Sequence, residues 1–156
     1  SSMTTYCFPV KYEPDPQSLW RDIVVGADRT LDEFQKELNH VVGLNQDHLW
    51  FFGTDQDYLD SDIQYLPPGE TEQSPGSLMA RGEEYDAGET TIGQMAHQLD
   101  LEEGDRICYL FDYGDEWRFY AILKEIIEDD GSDAEPTAVT EKGEPVEQDS
   151  QRGDWR

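Results

Sequence analysis

The strongest constraint on the fold comes from two apolar segments, 106–113 and 117–127, which only a short turn separates. In the first segment every second residue is apolar, which is the periodicity of a β-strand with one buried face. The residues on that face are Ile107, Tyr109, Phe111 and Tyr113. The second segment is apolar on both faces in its middle, so it needs cover on both sides. We therefore predict a β-hairpin whose second strand lies centrally in a sheet.

Two helices are predicted, at 31–42 and 91–99, because each segment carries apolar side chains at helical spacing. Each segment also follows a hydroxyl residue that has Glu or Gln three positions later, the pattern of a capping box. The capping pairs are Thr30 with Glu33 and Thr91 with Gln94. The sequence thus predicts where both helices begin.

Further strands are predicted from period-two alternation and from turn residues between apolar runs. They span residues 4–12, 19–25, 47–53, 61–66 and 77–85. A hairpin followed by a helix and then more strands is typical of an α+β domain. We expect a mixed sheet with two helices packed on it, in a β-grasp-like hairpin–helix arrangement.

Composition divides the chain into three parts. Residues 1–3 are interpreted as a cloning remnant and start, and residues 4–127 as a single α+β domain. Residues 128–156 are rich in acids and poor in apolar residues, which is typical of a tail that is ordered in part at most. Ending the chain after Glu128 is therefore expected to cost little hydrophobic free energy.

The acidic balance bears on the environment and the partners of the protein. The chain has 36 Asp and Glu against 11 Lys and Arg, a formal net charge of -25. Such a charge opposes phosphate binding, so a nucleic-acid partner is not expected. The acids are spread along the chain, which favours adaptation to high salt over acidic mimicry of nucleic acid. No apolar run is long enough for a membrane helix, and we expect a cytoplasmic protein without a membrane partner.

The densest cluster of chemically useful residues lies in the predicted turn between the two apolar segments. It comprises Asp112, Tyr113, Gly114, Asp115, Glu116 and Trp117. Clustered carboxylates suit a divalent cation, but the same residues suit a tight turn, which we favour. In that interpretation Gly114 adopts a positive φ angle, and Asp112 and Asp115 accept backbone N–H bonds. His48, at the start of a predicted strand, is a further candidate for binding.

No motif assigns a reaction. The sequence has no glycine-rich nucleotide-binding loop, and no spacing of Ser, Cys and His supports a nucleophile or a zinc site. We therefore assign no catalytic residue, no metal and no cofactor. The two cysteines, Cys7 and Cys108, are expected to be buried thiols.

The segment 110–126 resembles a known family, the plasmid pRiA ORF-three-like proteins, also known as insertion-element passenger, TnpR-like proteins. The resemblance extends over roughly residues 4–127. The matching positions are Leu19-Trp20-Arg21, the helix Thr30–Val42, His48-Leu49, the short helix Thr91–Leu101, and Asp112, Tyr113, Gly114, Asp115 and Trp117. This resemblance implies an α+β fold and no established reaction.

We favour a non-enzymatic cytoplasmic module that binds an unknown protein or a small ligand. Two alternatives stay open at this point. One is a metal-dependent hydrolase that uses Asp112, Asp115 and His48. The other is a nucleic-acid-associated accessory protein of a mobile element.

The net charge predicts that stability rises with salt concentration. At about 1 M salt the Debye length falls to roughly 3 Å, which screens most of the repulsion between surface carboxylates. The thermal midpoint, followed by circular dichroism, should therefore climb steeply between low and molar KCl. A midpoint that stays flat across that range would contradict adaptation to high salt and favour acidic mimicry.

Overall fold

One mixed β-sheet with two helices makes up the fold in the computed structural model. The structure describes residues 4–55, 61–70, 83–128 and 136–146. The strands are β1 (Thr5–Tyr12), β2 (Trp20–Gly26), β3 (Trp50–Gly53), β4 (Ile63–Leu66), β5 (Glu83–Asp86), β6 (Arg106–Phe111), β7 (Trp117–Ile122), β8 (Glu125–Ile127) and β9 (Thr137–Lys142). The helices are α1 (Leu31–Val42) and α2 (Ile92–Gln98).

The strand order places the predicted hairpin in the middle of the sheet. The order is β5-β4-β3-β6-β7-β1-β2-β9, and β8 also pairs with β1. Among the described strands, only β4 and β5 pair in parallel. The central position of β6 and β7 confirms the prediction made from their apolar residues.

Both helices begin at the capping boxes that the sequence predicts. The Thr30 side chain accepts a hydrogen bond from the Glu33 amide, and the Glu33 carboxylate accepts one from the Thr30 amide. Thr91 and Gln94 repeat this exchange at the start of α2. Thr30 and Thr91 also form a β-bridge with each other. The two helix starts therefore lie side by side.

The main core lies between the helices and one face of the sheet, which we call the first face. Alternate residues of each strand point into it, as the pleat of a strand requires. The strands contribute Phe8, Val10, Ile23, Val25, Trp50, Phe52, Tyr109, Phe111 and Phe119, and α1 contributes Leu31, Phe34, Leu38 and Val42. The opposite face, which we call the second face, carries a small buried cluster of Phe51, Leu66 and Leu110. Neither α1 nor α2 contributes to that cluster.

The α+β fold with a mixed sheet and two helices is confirmed, whereas the β-grasp-like order is not. The chain leaves the first hairpin through α1 and enters β3, which β6 and β7 separate from β1. Part of the strand predicted at 77–85 lies outside the described residues, and β5 begins at Glu83. Within the described part of the chain, no helix is long and apolar enough to cross a membrane.

The end of β6 differs from the prediction. The strand stops at Phe111 because Asp112 adopts a positive φ of 67°, which breaks the alternation of faces. Tyr113 therefore lies against Phe51 of the second face, with the ring centroids 6.2 Å apart. The expectation that Tyr113 shares the face of Phe111 is wrong for this reason.

A β-bulge divides the long strand predicted at 117–127. The register with β1 jumps from the Val10–Ala121 pair to the Cys7–Glu125 pair. Two residues of β1 thus oppose three residues of the neighbouring strand, which is the signature of a bulge. The predicted strand accordingly appears as β7 and β8.

Part of the acidic C-terminal segment joins the sheet as β9, which pairs with β2. Arg21 of β2 binds the end of this strand, and Arg21 is only 2% exposed. Its guanidinium donates to the carbonyl oxygens of Val41 and Lys142, both at 2.8 Å, and to that of Gly143 at 3.0 Å. A buried charge thus takes two acceptors from the end of β9. Loss of this strand would remove these two acceptors from the guanidinium, a cost that composition did not reveal.

Ending the chain after Glu128 should therefore destabilise the fold, contrary to the expectation from composition. We expect the free energy of unfolding to fall by about 3 kcal/mol, because a buried charged group loses acceptors. Urea denaturation of this truncation should be compared with a chain that ends after Val146, which keeps β9. Equal stability of the two truncated chains would show that Arg21 does not need β9.

Candidate functional site

The turn between β6 and β7 is organised by the carboxylate of Asp112, which is buried. Its Oδ1 accepts hydrogen bonds from the amides of Gly114 at 3.1 Å and Asp115 at 3.4 Å. Its carbonyl oxygen accepts a third bond, at 2.6 Å, from the amide of Glu116. Asp tolerates the left-handed backbone conformation better than most residues, which suits the φ of 67°. Asp112 therefore acts as the structural centre of this turn.

Two details of the predicted turn are wrong. Positive φ angles occur at Asp112 and Glu116, and Gly114 has none. Asp115 contributes its amide as a donor, and no described hydrogen bond is accepted by its carboxylate, which is exposed. The tight turn itself is present, but Asp112 supplies both the unusual backbone angle and the accepting carboxylate.

His48 meets this turn from the segment that precedes β3. Its Nε2 lies 3.6 Å from Asp112 Oδ2, and its ring contacts Phe111 edge-on with the centroids 5.8 Å apart. The amide of Asp112 donates to the carbonyl oxygen of Leu49 at 2.8 Å, which ties the two segments together. The structure thus brings together His48 and Asp112, two of the residues that the sequence analysis selected.

Tyr113 and Trp117 lie on opposite sides of the same turn. Trp117 belongs to the main core, 8% exposed, and its indole Nε1 has no hydrogen-bond partner among the described residues. Tyr113 remains 41% exposed. Burial of its hydroxyl, together with the charges of Glu70 and Glu84, raises the pKa of Tyr113 to about 12. The phenol therefore stays protonated at neutral pH and can donate a hydrogen bond.

The turn leaves few groups available for binding or catalysis. One oxygen of Asp112 is committed to backbone amides, and the other faces His48. Within the described residues, no group of three or more His, Cys, Asp or Glu side chains is arranged to hold a metal ion. The turn offers a His–carboxylate pair beside two exposed apolar side chains, those of Leu49 and Tyr113.

A groove of about 480 Å³ on the second face was missed by the sequence analysis. Its lining residues are Pro9, Lys11, Trp20, Asp22, Gly104, Ile122, Leu123 and Lys124. They come from distant parts of the chain and meet only through strand pairing, which sets Lys11 opposite Trp20 and Pro9 opposite Asp22. Only knowledge of the strand register could have revealed this groove.

The bulge between β7 and β8 shapes the groove. Bulges re-aim side chains and bend a strand, and here the two residues of β1 that face the bulge include Pro9, which has no N–H to give to the ladder. The amide of Lys124 donates to the carbonyl oxygen of Cys7 at 2.9 Å, which restores the pairing beyond the bulge. A local interruption of the ladder thus coincides with the concave part of the second face.

Cys7 lies next to the groove. Burial raises the pKa of its thiol, and Asp22 and Glu125 raise it further, while Lys124 opposes them. Cys7 and Cys108 form no disulfide, and Cys7 is buried whereas Cys108 is half-buried. The expectation of a buried thiol is therefore confirmed for Cys7 and met only in part by Cys108.

Another groove, of about 400 Å³, lies beside α2. Its polar lining includes Asp28, Gln94 and His97, and it contains no lysine or arginine among the described residues. Its described lining includes no Trp, Tyr or Phe side chain. We regard it as a weaker candidate for ligand binding than the groove on the second face.

Comparison with known proteins bears on the fold and the family. A family model described as plasmid pRiA4b ORF-3-like protein matches residues 4–152. No curated protein matches the sequence. Among solved structures, the crystal structure of the protein of unknown function MM3350 from Methanosarcina mazei Go1 is similar, with a TM-score of 0.66 and 16% sequence identity. The similarity covers 93% of this chain and 74% of that one. At this identity the likeness shows a shared fold alone.

The hydrogen bonds of the turn predict unequal effects of its two aspartates. Asp112→Ala should lower the free energy of unfolding by about 2–3 kcal/mol, because two amides lose their acceptor and alanine adopts the left-handed conformation at a cost. Asp115→Ala is the matched control and should stay within about 0.5 kcal/mol of the parent protein. Urea denaturation measures both variants. A loss at Asp115 as large as that at Asp112 would contradict this assignment.

Proposed function

The chain belongs to the plasmid pRiA4b ORF-3-like family, a family of unknown function, and we propose that it is a non-enzymatic module that binds a ligand on the second face of its sheet. The proposal rests on the groove beside the bulge. Ligand sites are concave and mostly apolar, with a few polar groups that fix the orientation of the ligand. The groove on the second face has this character.

The lining of the groove supports a binding role in detail. Apolar surface comes from Pro9, Trp20 and Ile122, and charged groups come from Lys11 and Lys124. Trp20 is only half-buried, so part of its indole is accessible. A large aromatic side chain that is left accessible between charged neighbours is typical of a recognition surface. The accessible indole and the two ammonium groups together provide the contacts that a binding site needs.

The turn at 112–117 gives less support to an enzyme. A hydrolase built there would use His48, Asp112 and Asp115 around a metal ion. Asp112 already accepts two amide hydrogen bonds, which fix its carboxylate within the turn. The single observation in favour of such chemistry is the distance of 3.6 Å between His48 and Asp112. We therefore assign the turn a structural role first and a binding role second.

The same proposal places the module in the cytoplasm of an organism that lives in high salt. Cysteines that form no disulfide, Cys7 and Cys108, suit a reducing compartment, because disulfides persist mainly in oxidising ones. The net charge of -25 suits a solvent in which salt screens repulsion between carboxylates.

A fragment screen followed by amide chemical shifts tests the proposed binding surface. Small molecules that bind should shift the amide signals of Trp20, Ile122 and Lys124, because these residues line the groove. Trp20→Ala should weaken the same fragments by about tenfold or more, since an aromatic contact surface is lost. Tyr113→Ala, which removes the exposed aromatic side chain of the turn, is the matched control and should leave binding unchanged. Shifts centred on 112–117 that respond only to the control variant would overturn the proposal.

A further inference from the structure

The lysines of this chain are concentrated at one place on its surface. The chain has four lysines, and three of them, Lys11, Lys124 and Lys142, lie at or beside the groove on the second face. The fourth, Lys36, lies on α1 and pairs with Asp32 at 3.0 Å. In a chain with a net charge of -25, this distribution places most of the lysines at the groove.

Strand register sets cations and aromatic rings in one row across the second face. Tyr120 of β7 pairs with Lys11 of β1, Lys11 pairs with Trp20 of β2, and Trp20 pairs with Lys142 of β9. Residues directly opposite each other on neighbouring strands have adjacent side chains. The row therefore alternates ring, cation, ring and cation over four strands. Arg106 extends it, with its guanidinium 4.2 Å from the Tyr120 ring centroid.

The two lysines of this row form cation–π contacts with one aromatic ring, that of Trp20. Their Nζ atoms lie 5.6 Å (Lys11) and 5.0 Å (Lys142) from the centroid of Trp20. None of the lysines at the groove forms an ion pair with a carboxylate in the described ranges. Cations near an aromatic face keep their charge available for a further partner, because the ring carries no formal charge. The groove thus presents ammonium groups that a bound anion could neutralise.

We propose that the groove on the second face binds a small organic anion with a flat apolar body. This inference rests on the proposed binding function and adds the chemical class of the ligand. The anionic group lies between the ammonium groups of Lys11 and Lys142 beside Trp20. The flat body of the ligand covers Pro9 and Ile122 in the floor of the groove.

Other features of the groove limit the ligand further. Asp22 is the one acid of the lining. Its charge raises the pKa of the Cys7 thiol, whereas that of Lys124 lowers it. A carboxylate at that position accepts a hydrogen bond from a donor group of the ligand and repels a second anionic group. The ligand is therefore expected to carry its charge at one end only.

A nucleic acid is a poorer match for this surface than a small anion. Polyanion binding depends on many cations that displace counterions along the backbone. The row supplies few cations, and the remaining surface of the protein repels a long phosphate chain. A single anionic group meets the cations of the groove without approaching the acidic surroundings.

The experiment uses a matched pair of fluorescent probes with the full-length protein. Anilinonaphthalene sulfonate carries a flat aromatic body and one anionic group, and N-phenylnaphthylamine has the same rings without the sulfonate. Both are titrated at the lowest KCl concentration at which circular dichroism shows the folded protein, so that salt screens the ion pairs least. We expect the sulfonate to bind once per chain and at least about fivefold more tightly than the neutral compound.

Charge-neutral variants locate the anion. Lys11→Gln and Lys142→Gln should each weaken the sulfonate about fivefold or more, because a charge-assisted contact is lost. Lys36→Gln makes the same change of charge away from the groove and should have no effect. Lys11→Arg keeps the charge and should retain most of the affinity. Thermal midpoints of all variants, measured in the same buffer, identify any that fail to fold, and the arginine variant then decides the test.

The possible outcomes separate the anion proposal from the binding proposal. If both probes bind equally tightly and only Trp20→Ala weakens them, the proposed anionic ligand is contradicted, whereas the proposed binding groove is supported. No effect of Trp20→Ala on either probe would overturn both proposals. Displacement of the sulfonate by benzoate or by a nucleoside monophosphate would support the anion and tell a carboxylate from a phosphate source. If a single-stranded oligonucleotide binds more tightly than the monophosphate, the proposal of a small organic anion as the ligand is contradicted.

Discussion

The rest of the structure depends on the way in which one buried hydroxyl joins helix α1 to the middle of the sheet. Tyr109 of β6 is fully buried, and its hydroxyl donates to Asn39 Oδ1 at 2.6 Å and accepts from Gln35 Nε2 at 2.9 Å. Burial raises the pKa of this phenol well above its usual value, so it stays protonated as a donor. Buried polar groups need partners with good geometry, and this pair of bonds therefore permits one placement of α1. That placement decides which face of the sheet is covered and which face keeps a groove.

Features that depend on a few neighbouring residues were predictable from the sequence. The capping boxes at Thr30 and Thr91 and the central hairpin follow from local spacing, and the structure confirms them. Local chemistry was insufficient for the turn after β6, because both Gly and Asp tolerate a positive φ and only the structure shows that Asp112 adopts it. The acidic C-terminal composition likewise concealed β9, whose attachment depends on a buried arginine more than a hundred residues earlier.

The two candidate sites, the turn at 112–117 and the groove on the second face, differ in how far each could be predicted from the sequence. The six turn residues of the cluster are consecutive, so their proximity required no knowledge of the fold, whereas His48 reaches them through the pairing of β3 with β6. The groove on the second face requires the register of four strands and the position of a bulge. Period-two alternation predicts that Lys11 and Trp20 each lie on a strand, but it cannot predict that they are opposite each other. A site that depends on cross-strand register is hidden from a reader of sequence alone.

The outer strand β5 has a consequence for how copies of this protein behave when crowded. It is the last described strand on its side of the sheet, only four residues long, and Glu83, Glu84 and Asp86 are three of those residues. An unpaired strand edge invites a further strand from another molecule, and short, charged edges discourage this. In molar salt the charges of β5 are screened and their repulsion is weak. Among the described features of this edge, the shortness of the strand then still discourages edge-to-edge addition, a protection that does not depend on ionic strength.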